Sequence, residues 1–149
     1  KYRELLIESS SNFNFIFYFV AAYSGFSFLT TFIREVIKDL EDYTGDKEFG
    51  RNTIPVALGT TVSKGIVATL MIVCMVLITL LQMKQWASGD KISFYYFLIA
   101  LQLPFAFLLY KISNAKDAKE YAFASRLSKL IMFLGICYTL VFYCLIAGI

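Results

Sequence analysis

Six of the eleven acidic residues in this chain fall within residues 34–59, REVIKDLEDYTGDKEFGRNTIPVALG, between long uncharged apolar segments. Glu35, Asp39, Asp42 and Asp46 follow steps of four, three and four. On a single α-helix that spacing gathers all four carboxylates within about 60° of arc. Carboxylates collected this way repel one another unless a cation sits among them. They also lie at the C-terminal end of an apolar helix, where the macrodipole disfavours anions. A bound cation relieves both penalties. The alternative is a solvated acidic loop neutralised locally by Lys38, Lys47 and Arg51, and spacing alone leaves both readings open. An EF-hand calcium loop fits poorly, because counting from Asp42 puts Lys47 where that loop needs Gly and no Glu closes the frame. The chain has no His, so hard-cation chemistry through carboxylates is what remains open.

Those acids must be held by membrane helices. The chain is 58% hydrophobic and 17% aromatic, and its net charge of +3 is too small to suggest a nucleic-acid partner. Four windows carry no charge: 9–33, 65–83, 92–110 and 130–149. Each approaches the roughly 20 residues that cross a bilayer core. A soluble domain of this size could hardly bury four such helices. The expected fold is therefore all-α, a single multi-pass transmembrane bundle over 1–149. Its spans are expected near 10–33, 64–84, 92–110 and 129–149, with an acidic loop near 34–63. The N-terminal KYRELLIESSSN is not a signal peptide, since Glu4 and Glu8 interrupt it. Cys74, Cys137 and Cys144 lie in apolar windows without metal-ligand or disulfide-framework spacing, and are expected to be small buried hydrophobes.

Taken in order, the first span runs on unbroken into Arg34 and Glu35. Gly25 and the hydroxyls of Ser24, Ser27, Thr30 and Thr31 suit close helix packing or a wall facing a polar cavity, and Tyr23 and Phe26 either pack likewise or line a cavity. Gly45, Gly50 and Pro55 predict that the helix ends between Asp42 and Asp46. Thr60, Thr61 or Ser63 can cap the second span, and Gln82, Gln85 and Trp86 mark its far end as interfacial. The short connection 87–91 predicts an antiparallel hairpin with the third span. There Pro104 should kink the helix and Gln102 should face protein. A polar connection, 111–129, with the helical-looking DAKEYAFASRLSK, leads to the fourth span. Placing the acidic stretch in the cytoplasm puts ten of the fourteen Lys and Arg residues on that side, leaving Lys1, Arg3, Lys84 and Lys91 opposite.

The stretch KDLEDYTGDKEFGRNTIPVALG resembles the second aspartate-rich motif of the UbiA superfamily of intramembrane prenyltransferases. Asp42 and Asp46 match its D-x-x-x-D pair, Asp39 adds an upstream acid, and Gly50, Thr53, Pro55 and Gly59 take the familiar loop positions. The run ASRLSKLIMFLG, 124–135, is similar to the family's entry into its last helix. Within the family, REVIKDLEDYTGD is most similar to the branch that makes digeranylgeranylglyceryl phosphate.

The resemblance implies nine helices around a cavity, of which four are apparent here. It implies Mg²⁺ held between two acidic motifs, gripping the diphosphate of a polyprenyl donor. As a Lewis acid the metal would stabilise the departing diphosphate, aromatic faces would shelter the allylic cation, and a nucleophile on the acceptor would attack carbon. On that basis Asp42 and Asp46 are the expected catalytic metal ligands, with Asp39 and Glu35 as further ligands. Lys38, Lys47 and Arg51 are expected to contact diphosphate or acceptor phosphate, or to form plain salt bridges. The implied partners are a polyprenyl diphosphate, membrane lipid, and an acceptor that is either geranylgeranylglyceryl phosphate or an aromatic such as hydroxybenzoate, a naphthoate or a porphyrin. The first acidic motif, N-D-x-x-D-x-x-x-D, is absent, since the acids after Glu48 are only Asp90, Asp117 and Glu120. The chain is thus expected to be the C-terminal half of a longer cell-membrane protein, inactive without its other half. Two other classes compete. A divalent-cation channel or carrier subunit would place carboxylates inside the bilayer, and no apolar window here contains one. A purely structural assembly partner would carry the acidic loop incidentally.

Overall fold

The computed structural model describes residues 2–147, with side chains from residue 13 onward except Phe15 and Ile146. Lys1, counted in the charge balance, and Gly148 and Ile149, the end of the fourth expected span, lie outside the described residues. The described chain is helical throughout: α1 (Tyr2–Glu41), α2 (Tyr43–Glu48), α3 (Ile54–Leu58), α4 (Thr60–Ser88), α5 (Lys91–Tyr96), a π-helical turn (Phe97–Gln102), α6 (Leu103–Asn114) and α7 (Ala118–Ala147). Four helical stretches, α1, α4, α5 through α6, and α7, are long and apolar enough to cross a membrane. This is a multi-pass membrane protein with an all-α fold. Its outer surface is apolar as well as its core: Phe28, Val76, Leu80, Ile99, Phe133 and Leu140 all stand exposed, as lipid contact requires.

The spans pack in a ring, α1 against α4 and α7, and α6 against α4 and α7. Helical periodicity selects the inner stripe of each. On α4 the buried residues Ser63, Val67, Met71, Cys74, Ile78 and Gln82 recur every three or four positions. On α1, Ile33, Val36, Ile37 and Leu40 are fully inside. The α1–α7 seam is closed by Phe19 stacked on Phe142 at 4.6 Å and by the Tyr23 hydroxyl donating to Gly135 O at 3.3 Å. At Gly135 an added Cβ would stand 3.1 Å from the Phe26 ring, so the absence of a side chain lets the two helices approach. Tyr23 and Phe26 therefore pack. Gly25 does not: it is exposed with open space around it, and of the neighbouring hydroxyls only Thr30 is buried, donating to Phe26 O and Ser27 O. Cys74 is buried as expected, but Cys137 is half-buried and Cys144 exposed, which an apolar position on a lipid-facing helix permits.

The hairpin between α4 and α5 forms as the short connection predicts. Gly89, at φ 81°, takes the left-handed conformation that ends α4, with Gly89 N–H donating to Trp86 O and Asp90 N–H to Gln85 O. Asp90 then caps α5 by accepting from Ser93 N at 3.0 Å. The distortion expected at Pro104 lies just before it, as the π-helical turn. Buried residues Ser93, Phe97, Leu101 and Phe105 step by four. On an unbroken α-helix such steps drift about 40° each away from one face. The wider π turn takes up that drift, so one face keeps facing the bundle.

Gln102 turns inward as predicted, its Nε2 donating to Met75 O at 3.0 Å and Thr79 Oγ1 at 2.8 Å, with Gln82 Oε1 at 3.4 Å. Gln82, expected at an interface, is instead buried in this network. Gln102→Leu is expected to destabilise the fold by about 1 kcal/mol, the scale of interhelical hydrogen bonds in lipid. Unfolding in mixed micelles measures it, and an unchanged midpoint would mean the network contributes nothing.

Three boundaries differ from the sequence expectation. The expected loop at 34–63 is mostly helix, because α1 extends two turns beyond its apolar window and α2 and α3 fill much of the rest. Gly59 rather than Thr60, Thr61 or Ser63 precedes α4; its φ of 86° makes the sharp turn out of α3. The polar connection at 111–129 shrinks to a short turn, since all of DAKEYAFASRLSK after Asp117 forms the first turns of α7. Glu120 caps that start by accepting from Lys116 N–H and Asp117 N–H.

Candidate functional site

The acidic turn stands where α1 leaves its apolar window. Helical hydrogen bonding carries past the end of α1, with Asp42 N–H donating to Lys38 O and Asp46 N–H to Asp42 O. Asp42 itself, at φ −88° and ψ 4°, interrupts the helix. The single face expected for Glu35, Asp39, Asp42 and Asp46 is therefore broken at Asp42, earlier than Gly45 and Gly50 suggested. Glu35 and Asp42 are exposed, Asp39 is half-buried, and Asp46 is turned inside at 5% exposure.

A local backbone motif explains where Asp46 points. Gly50, at φ 68°, ends α2 in the left-handed conformation that favours Gly. Gly50 N–H donates to Lys47 O and Arg51 N–H to Asp46 O at 2.8 Å, the paired bonds of a Schellman turn. That closure brings Arg51 back beside Asp46, where its Nη1 reaches Oδ1 at 3.3 Å. Arg51 is otherwise largely exposed, so its remaining donors are free for an anion. Lys47 stands over the Tyr43 ring at 5.9 Å, Lys38 is exposed, and Glu35 pairs with Arg34.

Among the described residues no three carboxylates converge closely enough to enclose an ion. The turn still fits Mg²⁺ chemically. Its donors are all oxygen, and this ion takes one or two carboxylates together with substrate phosphate and water. Beyond α2, Thr53 precedes α3 at its N-cap position, yet its hydroxyl makes no cap bond and is buried without a partner. The family resemblance marked Thr53 only as a loop position; a Thr ahead of Pro55 reads as an ordinary cap. Lys64 was likewise missed. Its ammonium bonds Ala115 O and lies 5.4 Å over the Tyr121 ring, tying the start of α4 to the α6–α7 turn.

A family model described as the UbiA prenyltransferase family matches residues 9–136, through the acidic turn and into the α1–α7 seam. The chain belongs to the UbiA prenyltransferase family. Two curated relatives are similar to this UbiA chain, both named digeranylgeranylglyceryl phosphate synthase. That of Methanopyrus kandleri is 31% identical over 110 residues, 74% of this chain and 39% of the relative. That of Methanothermobacter thermautotrophicus is 38% identical over 48 residues, 32% of this chain and 17% of the relative. The matches thus span well under two thirds of either relative's length. No solved structure matches this UbiA chain.

Proposed function

We propose that the full-length protein is a cell-membrane prenyltransferase that moves a geranylgeranyl group from its diphosphate to geranylgeranylglyceryl phosphate, with Mg²⁺ as cofactor and the acidic turn facing the cytoplasm. The observation that carries the reading is an oxygen-only acidic turn, at the end of a membrane helix, in a chain of the UbiA family. The names of the two relatives support the choice of acceptor. The excess of Lys and Arg beside the acidic turn supports its cytoplasmic side.

In this reading Asp42, exposed at the open side of the turn, and Asp46 supply the two carboxylates that hold the cation, and Asp39 and Glu35 add negative charge beside them. Asp46 also fixes the turn through Arg51. Arg51, with Lys38 and Lys47 near it, receives the diphosphate by charge-assisted hydrogen bonds. The bound Mg²⁺ supplies Lewis-acid stabilisation of the departing diphosphate. The Thr53 hydroxyl, already dehydrated and unpaired, is ready to donate to a ligand oxygen at little further desolvation cost.

The test uses full-length protein in nanodiscs with radiolabelled geranylgeranyl diphosphate, offered geranylgeranylglyceryl phosphate or 4-hydroxybenzoate. Transfer to the glyceryl phosphate is expected with Mg²⁺ and should be lost with EDTA and regained on adding Mg²⁺ back. Transfer to 4-hydroxybenzoate alone would move the protein to an aromatic acceptor. Transfer that persists in EDTA would remove the metal from the reading.

A further inference from the structure

The α6–α7 corner lies on the same side of the membrane as the acidic turn, where the end of α6 packs on the start of α7. Here the Lys111 ammonium stands over two rings at once, 5.5 Å from Phe107 and 5.6 Å from Phe123. Those rings meet edge to face at 6.3 Å and are nearly half exposed, at 45% and 47%. On α7, Lys119, Phe123, Arg126 and Leu130 are all exposed and fall within about 60° of arc. Lys111, Lys119 and Arg126 have no ion-pair partner among the described residues, where Arg34–Glu35 and Arg51–Asp46 are the pairs formed. Glu120 lies near enough to Lys111 and Lys116 to feel their charge. Its Oε2, however, is committed to the backbone N–H groups of Lys116 at 2.6 Å and Asp117 at 3.3 Å. Asp117 is left exposed in the turn. Positive charge therefore dominates an outward aromatic surface just where the apolar part of each helix begins.

We propose that this corner binds an anionic phospholipid of the surrounding leaflet. Its phosphodiester sits among Lys111, Lys119 and Arg126, and its acyl chains run along Phe107, Phe123 and Leu130. The chemistry selects that occupant. Long basic stems lie along apolar surface and lift their charges to headgroup level. The guanidinium fork and the ammonium groups match phosphate oxygens. A zwitterionic headgroup brings its own ammonium, which three cations repel. A free phosphate has nothing to cover the rings. The proposal does not depend on the reaction assigned to the acidic turn.

The experiment titrates the full-length protein in micelles with phosphatidylglycerol or phosphatidylcholine, reading bound lipid by native mass spectrometry. Phosphatidylglycerol is expected to bind at least about tenfold more tightly, from the attraction of several basic side chains. Lys111→Gln with Lys119→Gln and Arg126→Gln should erase the preference, whereas Lys84→Gln with Lys91→Gln, at the far membrane side, should keep it. If the triple variant does not fold, the charge-keeping Lys111→Arg, Lys119→Arg, Arg126→Lys protein and single Lys111→Gln take its place, the first retaining the preference and the second weakening it. Equal binding of the two lipids, or a preference that survives loss of all three charges, overturns the proposal. So does loss of the preference in the charge-keeping variant. Displacement of phosphatidylglycerol by comparable inorganic phosphate or geranylgeranyl diphosphate would mean an anion or substrate subsite instead, and overturns it too.

Discussion

Asp42→Asn in the full-length protein is expected to slow Mg²⁺-dependent transfer by about 100-fold or more, with no change in folding. A metal ligand that stabilises a leaving diphosphate contributes several kcal/mol at the transition state, and each 1.36 kcal/mol is a factor of ten. Asp42 suits the experiment because its side chain is exposed and holds no hydrogen bond or ion pair among the described residues. The amide has the same shape, so a lost rate reports lost charge. Asp46→Asn is a different perturbation: the carboxylate is buried against Arg51, and removing its charge also loosens the turn that positions the guanidinium. It should lower both the rate and the affinity for donor. Steady-state rates over a Mg²⁺ titration separate the two. An Asp42→Asn protein within threefold of the parent at saturating Mg²⁺ would take Asp42 out of the ligand set, and the case for Asp46 with it.

Phe105→Ala is expected to cost about 3 kcal/mol of stability, the lower end for burying and then deleting a large aromatic ring. Phe105 is fully buried, meets Phe26 edge-on at 6.2 Å, and borders a seam with Thr30, Ile33, Leu108, Ser128 and Ile131. In lipid the ring gains little from leaving water, so the loss is chiefly of contact and cavity. That argues for the low end. SDS-driven unfolding in bicelles checks it, with Phe107→Ala, on the lipid face, expected to change the midpoint little. Equal effects of the two would mean that the seam is not packed in the membrane as it is here.

The spans were legible because charge is costly in a bilayer, so charge-free windows report them directly. Gln102 was legible for the same reason: an amide among apolar residues must find protein partners. The π turn was not, because buried residues stepping by four look like an ordinary helical stripe until the drift is added up. Residues 118–129 read as a helical-looking stretch of a connection rather than as part of the last span, because their charges lie beyond the bilayer core, where a helix continues without an apolar signature. At the acidic turn, types and spacing left a bound cation and a solvated acidic loop both open, and Gly45, Gly50 and Pro55 pointed to a helix end. The break at Asp42, the inward rotation of Asp46 and the orphaned Thr53 hydroxyl follow from one Schellman turn and one short helix, details no periodicity carries.

The ring order of the helices has a consequence for biosynthesis. The first span meets the last, and Phe19, Tyr23 and Phe26 find Phe142 and Gly135 only when α7 has been made. More than a hundred residues separate Tyr23 from Gly135. At about 5–20 residues per second, the ribosome needs some 5–20 seconds to supply them. Throughout that interval this face of α1 lacks its α7 partner. The bundle therefore closes late, and a stalled or shortened chain would leave an aromatic seam without its α7 partner in the membrane.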